Sequence, residues 1–250
     1  MIVLSGAAIV LPDRILNPGT VVIDEGRIVE IRSGATTGPS AASSFAFQGF
    51  HIVPGFIDVH VHGVEGIDSL DDGEPVAAIA ARLPRFGVTA FCPTTVACPP
   101  RALARVLTQV KQARQEPQPR SARVLPAHLE SNFLSMAYRG AQPSSCLRSP
   151  RSALAGEHAG PAFEFGGADI LREIERAAPD VGIVTVAPEL DGGTDLVARL
   201  AAGGHLVSLG HSAATHDETL GTCSMRCHPS TIERRASQER CSRPRRSRPS

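Results

Sequence analysis

The sequence lacks several features that would each assign it to a known class of protein. None of its apolar runs reaches about 18 residues, which excludes a membrane-spanning helix. It has no Gly-x-Ser-x-Gly elbow and no glycine-rich phosphate loop. Its apolar start, residues 1–11, has neither a basic region nor a small-residue cleavage site, so we interpret it as a strand rather than a signal peptide. These absences leave a globular protein that does not contact a membrane.

Charge is balanced overall but unevenly distributed along the 250 residues. The chain carries 25 Lys and Arg against 25 Asp and Glu, yet residues 221–250 hold eight Arg and two acids, a balance of +6 that leaves −6 for residues 1–220. These last 30 residues contain no Val, Leu, Phe or Tyr with which to build a strand or a helix face. We expect residues 221–250 to be a disordered basic tail and hypothesise that it arose from out-of-frame translation or a mis-predicted gene end.

The six cysteines are scattered rather than arranged as a disulfide framework. Cys92, Cys98 and Cys146 lie in or beside apolar segments, as free buried thiols do. This usage favours a reducing compartment and predicts a cytoplasmic protein.

Two patterns divide the remaining chain. Residues 1–50 form the first predicted domain, a small β-sandwich portion. Within it, short apolar runs at residues 2–4, 7–11, 20–23 and 27–31, separated by turn residues, predict a small antiparallel β unit followed by a loop over residues 33–44. Residues 51–220 alternate apolar strands with amphipathic helices, which predicts a parallel sheet of βα units. The predicted strands span residues 52–62, 88–95, 124–130, 183–190 and 205–211, and the predicted helices span residues 74–86, 101–115, 168–178 and 194–202.

Ionisable residues end most of these strands. His60 and His62 end the first, His128 and Glu130 the third, and His211 the fifth, with Glu189 near the end of the fourth. Because active sites of parallel barrels are built at the carboxyl ends of the strands, these side chains should converge.

Their chemistry favours a hydrolytic metal site. His60 and His62, two residues apart on a strand, point to the same face, as metal ligands or as a hydrogen-bonded pair. Glu130 at a barrel mouth needs a cation or hydrogen-bond donors, although it could instead cap a helix. His211 adds an imidazole, and imidazoles with a carboxylate form a ligand set that leaves a position open for catalysis.

Seven segments of the sequence are informative when taken together. They are Pro54-Gly55-Phe56-Ile57-Asp58-Val59-His60-Val61-His62-Gly63, Gly66-Ile67-Asp68, Gly87-Val88-Thr89-Ala90-Phe91-Cys92-Pro93-Thr94, His128-Leu129-Glu130, Arg139-Gly140-Ala141, Val186-Ala187-Pro188-Glu189 and Leu209-Gly210-His211-Ser212. In this order they resemble the N-acetylglucosamine-6-phosphate deacetylases of the amidohydrolase superfamily. The resemblance covers about residues 1–220, and the later segments are the more specific ones.

The resemblance implies a β-sandwich beside a (β/α)8 barrel. It also implies one or two divalent ions, zinc or iron, with Glu130, His211 and a later histidine holding one ion, and His60 and His62 holding a second. The implied partner is an amino-sugar phosphate, contacted at Ala141 and Gln142 and hydrolysed to acetate and glucosamine 6-phosphate. Relatives of this kind are often homodimers.

Three departures from the family pattern qualify these expectations. Ser131-Asn132 replaces Gly-Pro after the glutamate, and Gln142 stands where a substrate-contacting histidine is common. After Leu220 the resemblance stops, before the family's sixth-strand histidine and its catalytic aspartate. We therefore expect about five of eight barrel strands, assign no catalytic residue, and expect the chain to be inactive if it is truncated there.

Several alternatives stay open or receive little support. Another metal amidohydrolase, such as a dihydroorotase-like or isoaspartyl-peptidase-like enzyme, should carry a bridging lysine, but the one lysine, Lys111, lies in a predicted helix. A non-catalytic fragment that binds a metal or a partner is the alternative from another class. A nucleic-acid-binding arm over residues 234–248 lacks interleaved aromatics, so we expect no nucleic-acid partner.

Other combinations of residues are weaker still. Cys223, Cys227, His228 and Cys241 do not have the spacing of a common zinc finger. Nothing in the sequence fixes a triad of Ser212, His211 and Asp217. We also expect His158 and His216, which lie in loop-like sequence, and His205, which begins the fifth predicted strand, to be solvated rather than catalytic.

Overall fold

The structure, a computed structural model, describes residues 1–36, 38, 42–158 and 164–224, with only the backbone of residues 223 and 224. The chain divides into two compact units, Met1–Phe56 and Ile57–Ser250. The predictions for a disordered tail, a basic arm and a zinc knuckle concern residues 225–250 almost entirely, which lie outside the described part of the chain.

The first unit is a five-stranded sheet centred on its first strand. The strands are β1 (Ile2–Val10), β2 (Ile15–Asp24), β3 (Arg27–Ser33), β4 (Ser43–Ala46) and β5 (His51–Ile52), in the order β3-β2-β1-β4, with β5 also pairing β1. The predicted antiparallel pairing is confirmed for β1–β2 and β2–β3. β4 and β5, which lie beyond the residues of that prediction, run parallel to β1.

Local sequence explains two features of this sheet. Glu25 and Gly26 both have positive φ, 47° and 76°, and form the two-residue turn that joins β2 to β3. Gly6, with φ of 88°, lies at a register shift inside β1, so the two predicted strands at residues 2–4 and 7–11 form one bulged strand.

The second unit contains a partial parallel half-barrel of five strands, as the sequence predicts. A six-membered sheet has the order β10-β9-β11-β12-β13, and β6 also pairs β9. The strands are β6 (Phe56–Val61), β9 (Val88–Thr95), β10 (Arg123–Val124), β11 (Ala127–Leu129), β12 (Val181–Val186) and β13 (Leu206–Leu209), and a small hairpin adds β7 (Gly63–Val64) and β8 (Ile67–Asp68). Both β10 and β11 pair in parallel with β9, so together they fill one barrel position.

Prolines explain why two predicted strands are each split in two. The first predicted strand is interrupted at Pro54-Gly55, which separates β5 from β6. The third is interrupted at Leu125-Pro126, because Pro126 has no N–H to donate to a neighbouring strand. Glu189 lies beyond β12, which ends three residues earlier at Val186.

Helices cover the sheet between the strands. They are α1 (Pro75–Arg82), α2 (Pro100–Gln115), α3 (Pro150–Leu154), α4 (Gly167–Arg176), α5 (Gly193–Ala202) and α6 (His216–Ser224), with 3-10 turns at Leu83–Phe86, Met136–Tyr138 and Ser144–Cys146. Among the described residues, no helix has the length and apolar character needed to cross a membrane.

The start of α6 corrects the expectation that His216 lies in a loop and that ordered structure ends near residue 220. Thr215 and Glu218 form a capping box, in which the Glu218 carboxylate accepts from the Thr215 N–H at 2.7 Å and the Thr215 hydroxyl accepts from the Glu218 N–H at 3.4 Å. The pattern Thr-x-x-Glu was therefore a helix-start signal that the sequence analysis missed.

Apolar residues at helical spacing form the core between sheet and helices. In α2, Leu103, Val106, Leu107 and Val110 are buried on one face. The largest fully buried side chains of this unit are Phe91, Phe133, Ile79, Leu103, Leu129, Ile170, Ile174, Leu196 and Leu200. This packing fixes the strand ends at which the predicted site lies.

Candidate metal centre

Glu130 is the central residue of the candidate site. It follows β11 directly, and its N–H donates to the carbonyl of Thr95 at 3.0 Å, which continues the pairing with β9. The residue is only 9% exposed. A buried carboxylate is stable only with compensating partners, and three imidazoles supply them here.

Two of these imidazoles come from the end of β6. The Nε2 atoms of His60 and His62 lie 3.1 Å apart. His62 Nε2 is 3.1 Å from Glu130 Oε2, and His60 Nε2 is 3.6 Å from Glu130 Oε1. The three ligand atoms all lie within 4.8 Å of one another, so the three side chains could hold one metal ion.

His211 supplies the third imidazole from beyond β13. Its Nδ1 lies 3.0 Å from the carbonyl oxygen of Tyr138, and its Nε2 lies 3.0 Å from Glu130 Oε1. Its backbone has a positive φ of 50°, an uncommon conformation that carries strain in residues other than glycine. The fold therefore holds this ring against Glu130 at an energetic cost.

The hydrogen bond of His211 indicates what the site is suited to hold. A carbonyl oxygen can only accept, so Nδ1 carries the proton and, in the neutral ring, Nε2 presents a lone pair to a carboxylate oxygen. Two acceptors in contact repel unless a cation or a second proton lies between them. An N–H donated to a backbone carbonyl is also the usual way in which a metal-binding histidine is oriented.

The spacing of the donor atoms supports the same conclusion. Atoms bound to one tetrahedral ion at about 2.0–2.2 Å lie about 3.4 Å apart. The Nε2 atoms of His60 and His62 lie 3.1 Å apart, and each lies near a different oxygen of Glu130, at 3.6 Å from Oε1 and 3.1 Å from Oε2 respectively; one ligand atom from each residue lies within 4.8 Å of the other two. These residues therefore fit a divalent cation, although the buried Nδ1 of His62 has no hydrogen-bond partner among the described residues.

Without a cation, protons on the imidazoles stabilise the carboxylate. Burial by itself would raise the pKa of Glu130, but hydrogen bonds from His62 and His211 outweigh burial and lower this pKa to about 2. The hydrogen bond to Glu130 raises the pKa of His62 despite the opposing effect of burial.

His128 has a different environment from the other three histidines. Its Nδ1 lies 2.9 Å from the carbonyl oxygen of Val59, and its Nε2 lies 2.9 Å from the hydroxyl of Thr185. Burial lowers the pKa of His128, which favours the neutral ring. With both nitrogens engaged, His128 connects β6 to β12 and packs edge-on against the His60 ring, with the ring centroids 4.9 Å apart.

Glu189, the remaining predicted strand-end residue, contacts the segment that follows His211. Glu189 accepts from the Ser212 hydroxyl at 2.6 Å and from the Ala213 N–H at 2.7 Å. Asp217 contacts His216 rather than His211. The described contacts therefore do not assemble a Ser-His-Asp triad.

Gln142, one of the two residues expected to contact substrate, lies beside Glu130, and Ala141 is the other. Ala141 is exposed, whereas Gln142 is only 5% exposed. The Gln142 Nε2 donates to Glu130 Oε2 at 2.5 Å, and its Oε1 accepts from the Ala97 N–H at 2.7 Å. A substrate contact of either residue stays a prediction.

Three polar residues support the site but were missed in the sequence. Thr94 accepts from the Val61 N–H at 2.9 Å, and Thr185 holds His128. Asn132 donates to the carbonyls of Cys98 and Cys146 at 2.9 and 2.7 Å, so the departure at Ser131-Asn132 ties neighbouring loops together. The sequence signal for Thr94 and Thr185 is a hydroxyl residue within an otherwise apolar strand.

The other histidines and the cysteines can also be compared with expectation. His158 and His216 are exposed, as expected. His205 is buried, and its Nδ1 lies 3.0 Å from the carbonyl oxygen of Val181, so the expectation that it is solvated is wrong. Cys92, Cys98 and Cys146 are free and buried, as predicted.

Comparison with known proteins relates this site to a family. The chain is 36% identical to N-acetylglucosamine-6-phosphate deacetylases of Mus musculus over 205 residues and of Rattus norvegicus over 207, each match covering 80% of this chain. It is similar to a solved structure of the Mycobacterium smegmatis deacetylase, with a TM-score of 0.70, 25% identity and 90% of this chain covered. Over these residues, the chain is similar to N-acetylglucosamine-6-phosphate deacetylases.

The match to these deacetylases is partial in length. The chain spans 44% of the two rodent proteins and 58% of the M. smegmatis chain. No family model matches the chain. The chain contributes the residue group His60, His62 and Glu130 that could hold a metal.

Proposed function

We propose that this chain contains the metal-binding part of a deacetylase that hydrolyses the acetamide of an N-acetylated amino-sugar phosphate. The substrate we propose is N-acetylglucosamine 6-phosphate. One observation carries the proposal: imidazoles from two strand ends, His60, His62 and His211, converge on the buried carboxylate of Glu130. Such a ligand set serves amide hydrolysis, because the neutral acetamide group needs both an activated water and a polarised carbonyl.

His60, His62, Glu130 and His211 would hold one or two divalent ions. Imidazole and carboxylate ligands suit zinc and ferrous iron alike. Such an ion, when bound, acts as a Lewis acid on a carbonyl oxygen and lowers the pKa of water. The contribution of the chain itself is orientation, because Tyr138 fixes the ring of His211.

The choice of substrate rests on the relatives. They are named as N-acetylglucosamine-6-phosphate deacetylases, and the products here would accordingly be acetate and glucosamine 6-phosphate. The exposed Ala141 and the neighbouring Gln142 are proposed to border the sugar. No general acid or base is assigned within this chain, so a metal-binding chain without turnover is the second candidate.

Acetate release separates these two functions. The purified chain, loaded with Zn²⁺ or Fe²⁺, is incubated with N-acetylglucosamine 6-phosphate, and acetate is measured by a coupled assay. Metal-dependent acetate release that disappears in Glu130→Gln supports the deacetylase. Metal binding without acetate supports the second candidate, and absence of metal binding contradicts both.

A further inference from the structure

We propose that Gln142 is a positioning residue that fixes the carboxylate of Glu130 for metal binding. The proposal rests on the proposed function, because it takes Glu130 to be a metal ligand. Gln142 is buried at 5% exposure, and both ends of its side-chain amide have partners within hydrogen-bond distance.

The orientation of this amide follows from its partners. The Ala97 N–H is a donor, so the atom that faces it must be the oxygen of Gln142, at 2.7 Å. The NH₂ group is then directed at Glu130 Oε2, at 2.5 Å. The backbone at residue 97 therefore determines which end of Gln142 meets the carboxylate.

The contact divides the two oxygens of Glu130 between different partners. Oε2 faces Gln142 and His62, at 2.5 and 3.1 Å. Oε1 faces His211 and His60, at 3.0 and 3.6 Å. A turn of the carboxylate plane away from this orientation would break the Gln142 contact, so this amide holds one oxygen towards His62 and the other towards His211.

The network also connects loops that are distant in sequence. Ala97 follows β9, Glu130 follows β11, and Gln142 lies 12 residues beyond Glu130. Partners of this kind, which orient metal-binding side chains, typically change metal affinity by about 10- to 100-fold when they are removed. Gln142 thereby has a role at the metal site that does not require it to touch substrate.

The test measures metal binding rather than turnover. The 250-residue chain is stripped with EDTA, and Zn²⁺ affinity is measured by competition with a chromophoric chelator, while Co²⁺ absorption reports the coordination geometry. Gln142→Met keeps the length of the side chain but removes the amide. We expect it to lower Zn²⁺ affinity by about 10- to 100-fold and to change the Co²⁺ spectrum.

Gln109 offers a matched control. Its amide also bridges two backbone groups, accepting from the Val76 N–H at 3.3 Å and donating to the Gly73 carbonyl at 3.1 Å, and neither of these described contacts involves a predicted metal ligand. Gln109→Met should change neither the affinity nor the spectrum. In a Glu130→Gln background, Gln142→Met should have no further effect, because the residue acts through Glu130.

The outcomes distinguish the two proposals. Wild-type affinity and spectrum in Gln142→Met would overturn the positioning role while leaving the metal site intact. A wild-type chain that binds neither ion overturns the proposed function as well. If Gln142→Met loses its circular dichroism spectrum, Gln142→Asn, which keeps an amide but cannot reach Glu130, should show the same loss of affinity, and unchanged binding there would overturn the role.

Discussion

The acid dependence of stability should reveal the electrostatic coupling at Glu130 in the metal-free protein. The pKa of this carboxyl is about 2 in the folded chain against an ordinary value of 4.5. A lowered pKa contributes stability above the unfolded value and loses it as pH falls towards the folded value. At about 1.4 kcal/mol per pH unit, the contribution of Glu130 should fall by about 2 kcal/mol between pH 5 and pH 3.

Glu130→Gln is the reference for this measurement, because it removes the titrating group and preserves the shape of the side chain. Urea unfolding of both proteins in EDTA gives the stability difference at each pH. The advantage of the wild type should be greatest near pH 5–6. It should also shrink as pH rises through the raised pKa of His62, where the imidazole loses its proton. A difference that stays constant from pH 5 to pH 3 would refute the assigned coupling.

Three further substitutions test the surrounding structure by urea unfolding. Asn132→Ala removes two buried hydrogen bonds and should cost about 2–4 kcal/mol, and a loss below about 1 kcal/mol would contradict the role of this amide. Phe133→Ala should cost about 3–5 kcal/mol because the ring is fully buried, whereas Phe86→Ala, at 55% exposure, should cost far less. Gly192→Ala should cost at least about 1 kcal/mol more than Gly73→Ala. Both have positive φ, but only at Gly192 would a Cβ lie 2.8 Å from the Arg151 backbone; equal losses would contradict this.

Most of the half-barrel could be predicted because its strands and helices have distinct hydrophobic periods. The helix over residues 101–115 and the strand at Val88–Thr95 match the structure to within one residue. Pro54 and Pro126 indicate in the sequence where two predicted strands break, but the predicted strand bounds did not take these prolines into account. The parallel pairing of Ser43–Ala46 with β1 depends on where the chain crosses over, which hydrophobic alternation does not encode.

The candidate site was less predictable than the fold. Strand-end position brought Glu130, His60, His62 and His211 into one group, and the structure places them together. It did not reveal that His128, an equally placed histidine, is held by Val59 and Thr185. Hydrogen-bond partners of this kind come from residues distant in sequence, so residue spacing alone could not separate a ligand from a structural histidine.

The spacing within the site is set by a strand that contributes no ligand. β9 lies between the strands that carry His62 and Glu130: its Thr94 hydroxyl accepts from the Val61 N–H, and its Thr95 carbonyl accepts from the Glu130 N–H. The two ligand-bearing strands are therefore held at a fixed separation by hydrogen bonds of 2.9 and 3.0 Å. A His-x-His motif alone could not provide this geometry, because the carboxylate that completes the group is nearly 70 residues away and reaches it only through β9.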